Sequence, residues 1–105
     1  MMEKNLENGL LLDFYGNILT KLQKNILEMY FNDDWSLAEI ASEVNMSRQG
    51  VLDHIKRGTK KLNEIEDKLG LLHKYRETMQ CLDEIDSGNG DILKQTRLIR
   101  KIWED

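Results

Sequence analysis

Arg48, Gln49, Asp53, Lys56, Arg57, Lys60 and Lys61 crowd into one short stretch of a 105-residue chain, and their types suit polyanion recognition. Arg48 and Gln49 can each make paired hydrogen bonds to a base edge, arginine to guanine and glutamine to adenine, and Asp53 can accept from a cytosine amine. Lys56, Arg57, Lys60 and Lys61 suit phosphate oxygens, which position a protein without reading sequence. Charge is distributed to match: residues 1–46 carry a net −5, residues 47–61 a net +4 and residues 62–105 a net −3, within a total of −4. An acidic chain with one basic cluster approaches a polyanion through that cluster, which argues against strong non-specific binding by a monomer. Other chemistries lack their parts. His54 and His73 have no partners at metal-ligand spacing, Cys81 has no imidazole near it in sequence, and no glycine-rich loop follows a strand. The expectation is a non-enzyme with no catalytic residue, no metal and no cofactor.

The flanking residues say how the basic stretch is held. Ser36 and Glu39 make S-x-x-E, a capping box that opens a short helix with Leu37, Ile40, Ala41 and Val44 on one face. Ala41 is small enough to let a following helix cross closely. Asn45 stands where the turn needs a positive φ, for which asparagine is the best substitute for glycine. Met46 then packs into the angle, and Ser47 caps a second helix whose first apolar positions are Val51, Leu52 and Ile55, with Leu52 on the flank of the reading face. Helix, tight turn and basic helix from Ser36 to Leu62 is a helix-turn-helix, with the basic residues starting at the end that enters a major groove.

The remaining chain reads as scaffold and arm. Leu6, Leu10, Leu11 and Phe14 space an amphipathic helix over 3–15, weakened by Gly9 and stopped by Gly16. Thr20 caps a second helix whose buried face is Leu22, Ile26, Leu27, Met29 and Tyr30, and Asn32-Asp33-Asp34 breaks it. Trp35 is placed to staple the start of the next helix. Beyond Leu62, the apolar residues Ile65, Leu69, Leu72, Tyr75, Met79, Leu82 and Ile85 resemble a heptad seam, interrupted at Gly70 by either a kink or a helix end. This arm either folds back on the N-terminal helices or pairs with a second copy; the excess of helix over what a small unit needs favours a homodimer. Residues 86–90 break the chain again, and Asp91 caps a last helix with Ile92, Thr96, Ile99, Ile102 and Trp103 inward.

These elements predict an all-α fold: one domain over 1–105, with the helix-turn-helix at 36–62 and a C-terminal helical arm at 63–105. No apolar run is long enough to cross a bilayer, and MMEKNLENG lacks the features of a signal peptide. A single cysteine, read as a small apolar helix residue, suits a reducing cytoplasm. Cytoplasmic residence is expected.

From Leu19 to Leu62 the chain resembles region four of bacterial sigma factors, which reads the promoter −35 element. The blocks Tyr15–Gln23, Tyr30–Ala41 and Ser47–Arg57 are similar, more closely, to the small YlxM-like family found beside signal recognition particle genes. The resemblance implies a sigma-region-four-like helix-turn-helix, a winged-helix-like arrangement without a wing, followed by additional C-terminal helices. It implies DNA binding and regulation, or an accessory role toward the signal recognition particle through its protein or RNA. Carried over by position, the base-reading residues of the sigma pattern fall on Arg48, Gln49 and Asp53, and the backbone-contacting ones on Leu52 and Arg57. Leu52 departs from that pattern, where arginine is common, and cannot bind phosphate. Sigma regions two and three are absent, so promoter opening is not implied.

Overall fold

The computed structural model describes residues 2–88 and 90–104, with side chains from Leu6 onward, and every regular element among them is helical. The helices are α1 (Met2–Tyr15), α2 (Lys21–Leu27), α3 (Leu37–Val44), α4 (Arg48–Leu69), α5 (Leu71–Asp86) and α6 (Ile92–Trp103). A 3₁₀ turn at Gly16–Ile18 follows α1, and α2 widens into a π turn at Glu28–Asn32. The helices group into two compact units, Met1–Leu69 and Gly70–Asp105. The boundary comes at Gly70 because α4 continues to Leu69. Gly70 then takes φ 64°, a left-handed conformation, so the interrupted run is two helices and not one kinked helix.

In the first unit α4 is the central post, packed by α1, α2 and α3. Leu11, Leu12, Tyr15, Leu19, Ile26, Leu27, Ile40, Ala41, Val51, Ile55 and Leu62 form its buried core. Two faces differ from the sequence expectation. On α1, Leu6 is 68% exposed and Phe14 also faces out, whereas Asn8, Leu11, Leu12 and Tyr15 are buried. That stripe is selected by what α1 meets. Gly9 lies against the π turn, where an added Cβ would stand 2.8 Å from Asn32 Oδ1, and the Tyr15 hydroxyl donates to Glu66 Oε1 on α4 at 2.5 Å. On α2, Leu22 is exposed and Gln23 is buried. Here α2 crosses α4 at Gly58, where a Cβ would stand 2.9 and 3.0 Å from the Leu27 methyls and 3.2 Å from Gln23 Cγ.

Local hydrogen bonding closes each junction of this unit. Thr20 Oγ1 accepts from the Gln23 N–H at 3.2 Å, capping α2. The π turn ends with the Asp33 N–H donating to Glu28 O and the Trp35 N–H donating to Met29 O. Ser36 Oγ accepts from the Glu39 N–H while Glu39 Oε1 accepts from the Ser36 N–H, at 3.1 and 2.9 Å. Asn45 sits at φ 58° and donates its N–H to Ala41 O, and the Met46 N–H donates to the same carbonyl.

The second unit is the pair α5 and α6. Asp91 Oδ1 caps α6 by accepting from the Leu93 and Lys94 N–H groups. In the turn before it, Gly88 has φ 75°; Asn89, which the sequence assigns to the same break, lies outside the described residues. Trp103 Nε1–H donates to Thr78 Oγ1 at 2.7 Å, tying the end of α6 to α5. Of the α6 residues expected inward, Ile99 and Ile102 are half-buried, but Ile92 is 63% exposed and Thr96 and Trp103 are also exposed. A two-helix pair covers only a narrow strip of each member, and no residue of α6 is fully buried. Tyr75, Met79 and Leu82 of the heptad-like seam are exposed on α5.

Candidate nucleic-acid interface

The orientation of α4 is fixed by its buried stripe. Val51, Ile55, Gly58 and Leu62 recur at steps of four and three and are buried against the other three helices. Residues on the opposite side of a 3.6-residue helix must then face solvent. Gln49, Asp53 and Lys60 occupy that side, with Lys56 and Arg57 at about equal angles to either side of them, and all five are exposed. Lys61 lies at the edge beyond Arg57; Arg48 and the half-buried Leu52 lie at the other edge. The seven polar residues singled out in the sequence therefore share one exposed helix.

The N-terminal end of this stripe carries the positive end of the α4 dipole. Ser47 Oγ accepts from the Gly50 N–H at 3.0 Å, which satisfies one of the orphan donors of the first turn. The other early N–H groups and the helix dipole leave partial positive charge there, and no acidic residue occupies the first turn to neutralise it. Gln49 Nε2 donates to Asp53 Oδ1 at 3.2 Å. This exposed i, i+4 bond contributes only about 0.2–0.5 kcal/mol, so Gln49 can exchange it for a base edge at small cost. Lys60 is paired with Glu64 at 4.0 Å, likewise on the surface. Arg48, Lys56, Arg57 and Lys61 make no ion pair among the described residues.

His54 is half-buried on α4 with Nδ1 unpartnered, and His73 Nε2 lies 2.9 Å from Glu77 Oε1 on α5. No group of three or more possible metal-ligating side chains occurs among the described residues. No described helix is long and apolar enough to cross a membrane.

Two features of the structure differ from the sequence expectation. The first is Gly58, whose missing side chain sets how closely α2 approaches the basic helix. Its position in the step from Ile55 to Leu62 was a detectable signal. The second corrects the expectation of a single basic cluster. Between Ile92 and Trp103, α6 carries Lys94, Arg97, Arg100 and Lys101 and no carboxylate. The net −3 assigned to residues 62–105 conceals this, because acidic residues of α4, α5 and the following turn were averaged with it.

The chain is similar in sequence to known proteins. The UPF0122 family model, described as "Putative helix-turn-helix protein, YlxM / p13 like", matches residues 2–102. A UPF0122 protein of Acetivibrio thermocellus is 58% identical over 90 residues, which span 82% of this chain and 77% of the relative. A UPF0122 protein of Listeria innocua is 42% identical over 87 residues, spanning 83% and 79% respectively. A UPF0122 protein of Bacillus mycoides is 39% identical over 109 residues, spanning 97% of this chain and 99% of its own.

Proposed function

The chain belongs to the UPF0122 family of YlxM/p13-like helix-turn-helix proteins, and from that premise we propose that it is a cytoplasmic DNA-binding regulatory protein. The N-terminal end of α4 enters the major groove. Arg48 pairs with a guanine edge, Gln49 leaves Asp53 to pair with an adenine edge, and Asp53 accepts from a cytosine amine. Lys56, Arg57, Lys60 and Lys61 hold phosphates on either side. The observation that carries the reading is the exposed stripe of Gln49, Asp53 and Lys60, flanked by Lys56 and Arg57, which lies opposite the buried stripe fixing α4 in the core.

Selection from a random duplex pool tests it. Enrichment of a preferred sequence is expected, with log K falling against log salt at a slope of about −3.6 for four phosphates. Arg48→Ala relaxes the preference, whereas Lys60→Ala weakens all duplexes alike. Absence of binding at low salt overturns the reading. A parallel titration with signal recognition particle RNA distinguishes a DNA reader from an accessory of that particle, since the same cations offer themselves to either phosphate backbone.

The exposed Tyr75, Met79 and Leu82 of α5 support a homodimer through the C-terminal helices. Two copies of α4 would then address half-sites about 34 Å apart, or one DNA turn. Light scattering checks this, and a monomer at working concentration removes the paired half-sites.

A further inference from the structure

We propose that α5 and α6 are one half of a four-helix bundle whose other half is the same hairpin of a second copy, with each α5 lying against the α6 of its partner. The inference rests on the reading of this chain as a homodimer and fixes which surfaces meet. The hairpin has two unlike faces. One is a charged groove, where Glu77 and Glu84 of α5 stand with Lys94 and Lys101 of α6. The other carries the exposed Tyr75, Met79 and Leu82 of α5 beside the exposed Ile92 and Trp103 of α6, none of which lines that groove. On a 3.6-residue helix Tyr75, Met79 and Leu82 share one side, as do Ile92, Thr96, Ile99 and Trp103. The bond from Trp103 Nε1–H to Thr78 Oγ1 brings the two stripes together. Stripes that step by three and four are the seams helix bundles bury.

The rim of this face selects its occupant. Asp83 and Asp86 of α5 and Arg97 and Arg100 of α6 are exposed, lie outside the groove and make no ion pair among the described residues. The bond between Trp103 and Thr78 sets their heights on the antiparallel helices. Arg97 lies about 9 Å along α6 from Trp103, level with Glu84, which lies about 9 Å along α5 from Thr78. Arg100 is level with Cys81 by the same measure, at about 4.5 Å. A two-fold axis parallel to the helices preserves these heights and lays α5 on the partner's α6, so that Asp83 and Asp86 meet Arg97 and Arg100 of the partner subunit. A two-fold axis across the helices sets α5 on α5 and α6 on α6, like charge against like, and is disfavoured. Anionic lipid or nucleic-acid phosphate suits the arginines but is repelled by the aspartates of the same rim, whereas a second copy satisfies both.

The test is sedimentation velocity on the full chain and its variants, each checked for helix content by circular dichroism. The wild type is expected to be a dimer, and Met79→Ser/Leu82→Ser, at exposed positions, a monomer of unchanged helix content. Asp83→Lys/Asp86→Lys and Arg97→Glu/Arg100→Glu are each expected to raise the dimer dissociation constant about 100-fold, since like charges then face one another. Mixed together, these two variants are expected to dimerise like the wild type, because each supplies the charges the other lacks, and mixing cannot relieve repulsion inside one chain. A monomeric wild type overturns the homodimer reading and this inference together. A dimeric wild type whose charge-reversed variants dimerise unchanged, or stay monomeric when mixed, overturns the arrangement alone and leaves the homodimer standing. Phosphatidylserine vesicles bound by a monomeric wild type, and not by the serine variant, assign the face to lipid and also overturn the proposal.

Discussion

Gly58→Ala is the substitution whose sign tests how α4 is held. In an exposed helix interior, replacing glycine by alanine adds about 1 kcal/mol of stability through backbone entropy. At Gly58 the new methyl would stand 2.9 and 3.0 Å from the two methyls of Leu27 and 3.2 Å from Gln23 Cγ. Leu27 is fully buried and cannot swing into solvent, and Gln23 is buried with Oε1 already lacking a partner. Overpacking of such a site costs about 1–3 kcal/mol, so the expected net effect is a loss of about 1 kcal/mol. That corresponds to a fall in Tm of about 4–8 °C for a domain of this size. Urea unfolding followed by fluorescence of Trp35 measures it in the first unit, with Trp103→Phe as the common background so that one indole reports. In a Leu27→Ala background the clash is removed and the cost of Gly58→Ala should shrink or reverse. A higher urea midpoint for Gly58→Ala alone refutes the close crossing of α2 on α4.

The remaining expectations concern the motif itself. Asn45, at φ 58°, should accept glycine within a few tenths of a kcal/mol but lose about 1–2 kcal/mol on replacement by alanine, as read by urea midpoints. The Ser36 backbone N–H, and then the Ser36 hydroxyl, hold the Glu39 carboxyl below its ordinary range. Its folded pKa is thus lower than its unfolded one. The capping box contributes fully above the unfolded value and is lost as pH falls through the folded value, and Glu39→Gln should flatten that part of the stability–pH curve. Asp53→Ala removes the acceptor assigned to a cytosine amine and should relax the preference at that one base pair, read by fluorescence anisotropy on duplexes that differ there. An unchanged preference at every position would contradict the placement of Asp53 against a base edge.

What could be read from the sequence was local. The capping box of Ser36 and Glu39, the left-handed Asn45 and the caps at Thr20, Ser47 and Asp91 each depend on residues within a turn of one another, and the structure contains each of these contacts. Which face of a helix is buried depends on the partner, and periodicity alone misassigned it. Leu22 and Gln23 are adjacent, and hydropathy selects the leucine, but the crossing at Gly58 buries the glutamine. Leu6 and Phe14 were misassigned for the same reason, because the contact between Gly9 and the π turn sets the rotation of α1. For the candidate interface, residue types on α4 were legible, but their division into a central stripe and two flanks required the buried side to be known. The cations of α6 are visible in the sequence, but the net −3 of residues 62–105 hides them because those limits do not coincide with a helix.

Amide chemical-shift mapping of the full chain during titration with a selected duplex tests the central claim most directly. If α4 reads DNA, the largest changes fall on Ser47, Arg48, Gln49, Asp53 and Lys56, and they saturate at a defined stoichiometry. Changes confined to residues outside α4, or none at low salt, contradict it.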